Sequence, residues 1–347
     1  MTNYSGKQLW RRHVVIIAVI LAALYGNSYQ QFRHFDPTDP RGASDGLDYM
    51  KMSHGDWEVK ATRRYRFIVP TLASWLQPEI GRVVKDPMNR DILSFYLVNF
   101  LFMAGAAWLF YLLLRAYEFP WAVALIGVLF FCFSRITALS TGTPLVDSVY
   151  YLAIVFTLLC TYTRRWNELA LAMPLLALSK ETIFPFLALA LFAGKGARMK
   201  LSAGLAIGFG LTAWTRHLIK TQVPLDTEYP ASFAVVVTSH VESMHSSLLR
   251  LISPTGWHDI QNGFSLVLVL AVIGGWIQWK LPASERRRMP PLFLLVVPLA
   301  LFYALLSSNL GRMFFAASFV IIPYALVALE YVMGSLEEPP IRDVEFE

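Results

Sequence analysis

The stretch from about residue 28 to residue 66 holds Asp36, Asp39, Asp45, Asp48, Asp56 and Glu58 together with Arg63, Arg64 and Arg66. A carboxylate within hydrogen-bond reach of a hydroxyl can act as its general base. Arginines nearby can neutralise an anionic phosphate as it leaves. In SDGLDYMK, Asp45 and Asp48 stand at i, i+3, so a helix beginning there puts both on one face or in its first turn. That spacing also suits plain N-capping by Ser44 or Asp45, since acids favour the positive end of a helix dipole. Taken singly, each aspartate reads as a cap. The company of Arg63, Arg64, Tyr65 and Arg66 in TRRYR is what points to chemistry, although arginines at a membrane surface also bind lipid headgroups.

Further along, Lys180 and Glu181 in SKET interrupt an apolar region. Charges at such depth are costly and face a cavity or a partner, so Lys180 is a candidate phosphate contact and a local Lys–Glu pair is the plain alternative. Asp147 in GTPLVDSVYY follows Thr143 and Pro144 and reads as a helix cap. Arg312 in SSNLGRMFF suits either headgroup snorkelling or a phosphate clamp. His217, His240, His245 and His258 lie near Glu242 and Asp259. His240 and His245 are five apart, not the i, i+4 of a helical zinc pair, so no metal site is expected. Cys132 and Cys160 sit inside apolar runs and read as small buried hydrophobes.

The elements that must hold these residues are membrane helices. The chain of 347 residues is 56% hydrophobic and 16% charged, against the roughly 25% charged usage of soluble domains. Apolar runs place about ten spans at 13–27, 91–114, 119–138, 147–163, 168–179, 182–194, 201–219, 263–279, 291–307 and 313–333. Residues 1–347 then form one all-α polytopic integral membrane domain. Its basic loops fall on one face: Lys7, Arg11 and Arg12; Arg115; Arg164 and Arg165; Lys195, Arg198 and Lys200; Lys280 and Arg286 to Arg288. By the positive-inside rule that face is cytoplasmic and carries both termini. The net charge of +6 follows from these loops, and no basic soluble module for nucleic acid is present. Two long loops, 28–90 and 220–262, fall on the outer face. In the first, FIVPTLASWLQPEIG predicts an amphipathic helix at the interface, anchored by Trp75. In the second, SSLLRLISPTGW predicts a surface helix broken at Pro254.

Taken together, the SDG-x-DY segment, RYRFIVPTLA, the TPLVD helix start, SKET between short helices and the GR of the last span resemble the GT-C superfamily of polytopic glycosyltransferases. The likeness is to small bacterial members related to the dolichyl-phosphate-mannose:protein mannosyltransferase type, and it covers most of the chain. It implies a bacterial plasma-membrane enzyme whose site faces outward. Its donor would be a polyprenyl-phosphate sugar, and its acceptor a hydroxyl of a glycan, lipid or protein. It also implies a catalytic aspartate in the first outer loop, where Asp45 matches best and Asp48 is the reserve. Tyr65 and Arg66 match the stretch before the interfacial helix, and Lys180, Glu181 and Arg312 match positions near the lipid phosphate. The loop lacks a plain Asp-Glu or Glu-x-Asp pair, so the resemblance brings no divalent metal or other cofactor with it. The competing expectations are a lipid-linked sugar flippase or transporter and a non-catalytic subunit of a polysaccharide assembly. A transporter of the common kind shows repeated halves, and no internal repeat is visible.

Overall fold

The computed structural model describes residues 6–37, 44–220, 233–282, 284, 286–287, 289–307 and 309–336, so Asp39 and Arg288 lie outside the described residues. Among those residues every regular element is a helix. The first half comprises α1 (Gly6–Arg33), α2 (Ser44–Ser53), α3 (Ala61–Arg64), α4 (Ile68–Ile80), α5 (Pro87–Ala116), α6 (Trp121–Cys132), α7 (Arg135–Gly142) and α8 (Asp147–Tyr162). The second comprises α9 (Trp166–Ala177), α10 (Phe184–Ala193), α11 (Arg198–Lys220), α12 (Phe233–Leu251), α13 (Pro254–Phe264), α14 (Val267–Lys280), α15 (Val296–Leu305), α16 (Leu310–Phe314) and α17 (Ser318–Leu336).

Three stretches are long and apolar enough to cross a bilayer: Trp10–Arg33, Pro87–Ala116 and Leu310–Met333. Three bent pairs raise the number to six if each is one span: α6 with α7 at 62°, Glu181–Ala193 with Lys195–Ile219 at 107°, and α13 with α14 at 76°. The chain is thus an α-helical protein with three to six candidate spans, where hydropathy alone predicts about ten. Several expected spans are simply short, among them Asp147–Tyr162 and Pro291–Leu305. The expected span 119–138 is not one helix. It breaks at Phe133, where no proline or glycine stands. Asn27 of α1 donates from Nδ2 to the carbonyls of Cys132 (2.8 Å) and Ser134 (3.0 Å), partnering the Cys132 oxygen that the break orphans; the Ser134 oxygen also accepts from the Ala138 N–H at 3.0 Å. Ser134 then caps α7 by accepting from the Ile136 N–H. α7 lies so close to α1 that a Cβ on Gly142 would stand 2.8 Å from the Ser28 carbonyl oxygen.

A large apolar core joins α1, α5, α6, α8 and α17 through residues such as Phe110, Phe131, Phe315 and Phe319. A second, smaller core seats the first long loop. Tyr49, Met50 and Met52 of α2, Val69 and Ala73 of α4, and Phe95 of α5 pack with Leu145 and Val146. Trp75 on α4 faces outward and is 69% exposed, while Val69, Pro70 and Ala73 face in. The helix expected from FIVPTLASWLQPEIG forms, with Trp75 on its outer side. The second long loop shows the expected break at Pro254, which opens α13 behind the Ser253 cap.

Candidate functional site

Burying Tyr49, Met50 and Met52 fixes the rotation of α2, and that rotation turns Asp45 and Asp48 toward α3. Arg63 spans the two carboxylates: Nη2 lies 2.6 Å from Asp45 Oδ1 and Nη1 lies 2.6 Å from Asp48 Oδ2. The other oxygen of Asp45 meets Arg312 Nη2 at 3.1 Å. Both oxygens of Asp45 are therefore held by guanidinium groups, and its side chain works across the fold and not merely as a local cap.

Arg312 comes from α16, whose first turn is closed by Asn309 Oδ1 accepting from the Arg312 N–H. Its carbonyl accepts from the Tyr151 hydroxyl at 2.9 Å. The preceding Gly311 permits the close approach to α13, for a Cβ there would stand 2.2 Å from the Asp259 carbonyl oxygen. Arg312 also reaches Asp147, with Nε 3.1 Å from Oδ2.

Asp147 departs from its reading as a cap. It is the first residue of α8, and its carboxylate turns into the protein, where Lys180 Nζ donates to Oδ1 at 2.8 Å. The side chains of Lys180 and Asp147 are 2% and 3% exposed. The ammonium also approaches Met313 Sδ at 3.4 Å and stands 5.1 Å from the centre of the Tyr150 ring. Asn99 holds the turn before α8 by donating to the carbonyls of Thr143 and Leu145, both at 3.0 Å, which fixes where Asp147 begins.

Lys180 does not pair with its neighbour Glu181 in a local bridge. Glu181 faces two arginines: Arg66 Nε at 3.4 Å and Arg216 Nη2 at 3.7 Å. Arg66 also donates from Nη1 to the Tyr49 hydroxyl at 3.3 Å. Burial pushes the Tyr49 hydroxyl above its ordinary range, against the pull of Arg66, so at neutral pH it is uncharged. Burial works against the charge of Arg66, but the carboxylates of Glu181 and Asp147 and the hydrogen bond to the Tyr49 hydroxyl outweigh it and keep the guanidinium a cation. Arg216 stacks over Tyr65, 4.8 Å from the ring centre.

Of the residues singled out from sequence, Asp45, Asp48, Arg63, Arg312 and Lys180 meet in one ion-pair chain through Asp147, and Arg66 and Glu181 form a second pair beside it where Glu181 follows Lys180, with Tyr65 at the rim beneath Arg216. Arg64 departs from the expectation. It is buried on another side of α3 and donates to the Val59 carbonyl at 2.7 Å, closing its own loop. Sequence reasoning did not name Asp147, Arg216, Tyr49 or Tyr151 as site residues. Asp147 carried a signal, an acid opening an apolar run, but the same signal fits a cap.

Elsewhere in the first loop, His54 Nε2 and Asp91 Oδ2 of α5 share a 2.6 Å hydrogen bond. Among the described residues no group of three His, Cys, Asp or Glu converges as a metal-binding set would. His258 of the second loop instead shares a 3.1 Å hydrogen bond with Asn262.

The cluster gathers carboxylates able to accept a proton and cations able to hold an anionic oxygen, in a chain whose surroundings are mostly apolar. No family model matches the sequence, and comparison with curated proteins and with solved structures returns no significant match.

Proposed function

We propose that this protein is a membrane glycosyltransferase. It would move a sugar from a polyprenyl-phosphate-linked donor to an acceptor hydroxyl at the extracytoplasmic face, with both termini cytoplasmic and α2 to α4 outside. The observation that carries the reading is Asp45 bracketed by Arg63 and Arg312, with Arg312 continuing through Asp147 to Lys180. General base and phosphate clamp are thereby in direct contact.

In the proposed reaction the donor phosphate enters beside Arg312, Lys180 and Arg66. A guanidinium that meets a phosphate oxygen gives up part of its hold on Asp45, because the two anions compete for the same N–H groups. The freed carboxylate oxygen accepts the proton of the acceptor hydroxyl. The acceptor oxygen bonds to the anomeric carbon, the bond from that carbon to the phosphate oxygen breaks, and polyprenyl phosphate leaves with the electron pair. Asp48, held at the other end of Arg63, orients that arginine or serves as the alternative base. No metal or other cofactor is invoked.

A second reading, a transporter of lipid-linked sugars, draws on the three bent helix pairs, since transporters build midplane sites from broken helices. Radiolabelled sugar transfer by purified protein in nanodiscs separates the two. Glycosyl transfer that disappears in Asp45→Asn, with the protein still folded, supports the enzyme. Donor movement across a vesicle membrane without any transfer product supports the transporter.

A further inference from the structure

Beside Arg63 the surface opens into a groove of about 440 Å³ with an apolar floor of Leu47, Met50 and Met88, and with Asp48, Lys51, His54, Lys60, Arg63 and Asp91 also lining it. Its inner end is shared with the cluster described above, because Asp48 and Arg63 belong to both. At its outer end, Asp91 is nearly buried and clamps the half-exposed His54 through Nε2. Arg90 Nε lies 3.5 Å from the other oxygen of Asp91. His54 Nδ1 has no protein partner among the described residues, nor do the side-chain ammonium groups of Lys51 and Lys60. Isolated surface lysines are ordinarily just solvated. Here two of them line the same concavity as an imidazole held by a carboxylate, and that concavity reaches Asp48, the alternative base.

We propose that this groove binds the acceptor and that the acceptor carries a phosphate group and a hydroxyl. Lys51 and Lys60 hold the phosphate, while His54 Nδ1 hydrogen-bonds a hydroxyl and directs the molecule toward Asp48 and Arg63. The inference rests on the glycosyltransferase reading, but phosphate binding in the groove is measurable without transfer. Two sources share this chemistry, a soluble sugar- or glycerol-phosphate and a phospholipid headgroup.

The test titrates glycerol 3-phosphate into the full chain in phosphatidylcholine nanodiscs and reads binding by calorimetry and by hydrogen exchange over residues 44–60. Saturable binding is expected, weakened at least tenfold in Lys51→Glu/Lys60→Glu and kept in Arg312→Gln. Lys51→Gln/Lys60→Gln provides a milder pair should the charge reversal prevent folding. Inorganic phosphate, without the alkyl hydroxyls, is expected to bind more weakly, and His54→Ala to remove that difference. A second arm uses phosphatidylglycerol nanodiscs with no soluble phosphate, where protection of 44–60 identifies a headgroup as the source. No saturable binding in either arm overturns the proposal. So does binding that is lost in Arg312→Gln and kept in the lysine variants, since phosphate would then occupy the central cluster. Stabilisation by polyprenyl-phosphate sugars reads that cluster alone, so it can succeed where the groove fails.

Discussion

Replacing Asp147 by Asn strips Lys180 of its counter-ion at a site almost closed to solvent. At 2.8 Å and an effective dielectric of about 20, the Coulomb attraction between the two is about 6 kcal/mol, most of it offset by desolvation of both charges. Removing one member of a buried pair costs about 3–5 kcal/mol, because the survivor stays buried without compensation. Lys180 then keeps at most a neutral amide oxygen at 147, Met313 Sδ and the Tyr150 ring, with its nearest counter-charge gone, which places Asp147→Asn at about 3 kcal/mol. Lys180→Met costs less, about 2 kcal/mol, since Asp147 retains Arg312 at 3.1 Å. Combining Asp147→Asn with Lys180→Met leaves no unpaired charge between those two positions. The double variant is therefore expected to be more stable than Asp147→Asn alone, with a coupling of about 1–3 kcal/mol. Reversible unfolding in mixed micelles measures all three. If Asp147→Asn lies within ~0.5 kcal/mol of the parent protein, or if the two single costs simply add, the buried-pair reasoning is refuted.

Arg63→Ala is expected to abolish transfer and to cost about 1.5–3 kcal/mol, as two charge-assisted hydrogen bonds disappear; Arg63→Lys should not restore activity, because an ammonium cannot span both carboxylates. Transfer assays and unfolding curves of the two variants check this. Gly311→Ala drives a methyl into the Asp259 carbonyl and is expected to cost about 1–3 kcal/mol while weakening donor binding through displaced Arg312, read by unfolding and by donor titration. Asn27→Ala leaves the Cys132 carbonyl unpartnered, while the Ser134 carbonyl keeps the Ala138 N–H, and is expected to cost about 1–3 kcal/mol, with faster hydrogen exchange confined to the α6–α7 break.

Charged residues in an apolar chain announce themselves, which is why Asp45, Arg63, Arg66, Lys180, Glu181 and Arg312 were legible before any fold was known. Their partners were not. Asp147 answers Lys180, which lies 33 residues away, and local capping signals at Thr143 and Pro144 explain its position just as well. Arg64 was grouped with its neighbours, yet successive residues on a helical turn point about 100° apart, so Arg63 and Arg64 cannot share one target. Arg216 sits near the end of an apolar helix, where a lone arginine ordinarily marks only a span boundary. The amphipathic α4 and the break at Pro254 followed from periodicity and proline chemistry. The break after α6 is held by Asn27, 105 residues before Cys132, and hydropathy carries no trace of it. Counting apolar runs gives about ten spans, while three to six helices or bent pairs are long and apolar enough to cross a bilayer, because several of the runs form short or bent helices.

In the reaction we propose, Arg312, Lys180 and Arg66 hold the phosphate of a lipid-linked sugar. The most direct measurement is stabilisation of the purified protein in nanodiscs by a panel of polyprenyl-phosphate sugars, set against Arg312→Ala and Arg66→Ala. A donor at about 100 times its dissociation constant should add roughly 2.7 kcal/mol. The account predicts that gain for at least one donor and its loss in both variants. No gain with any donor for the folded protein, or a gain that survives in both variants, would contradict it.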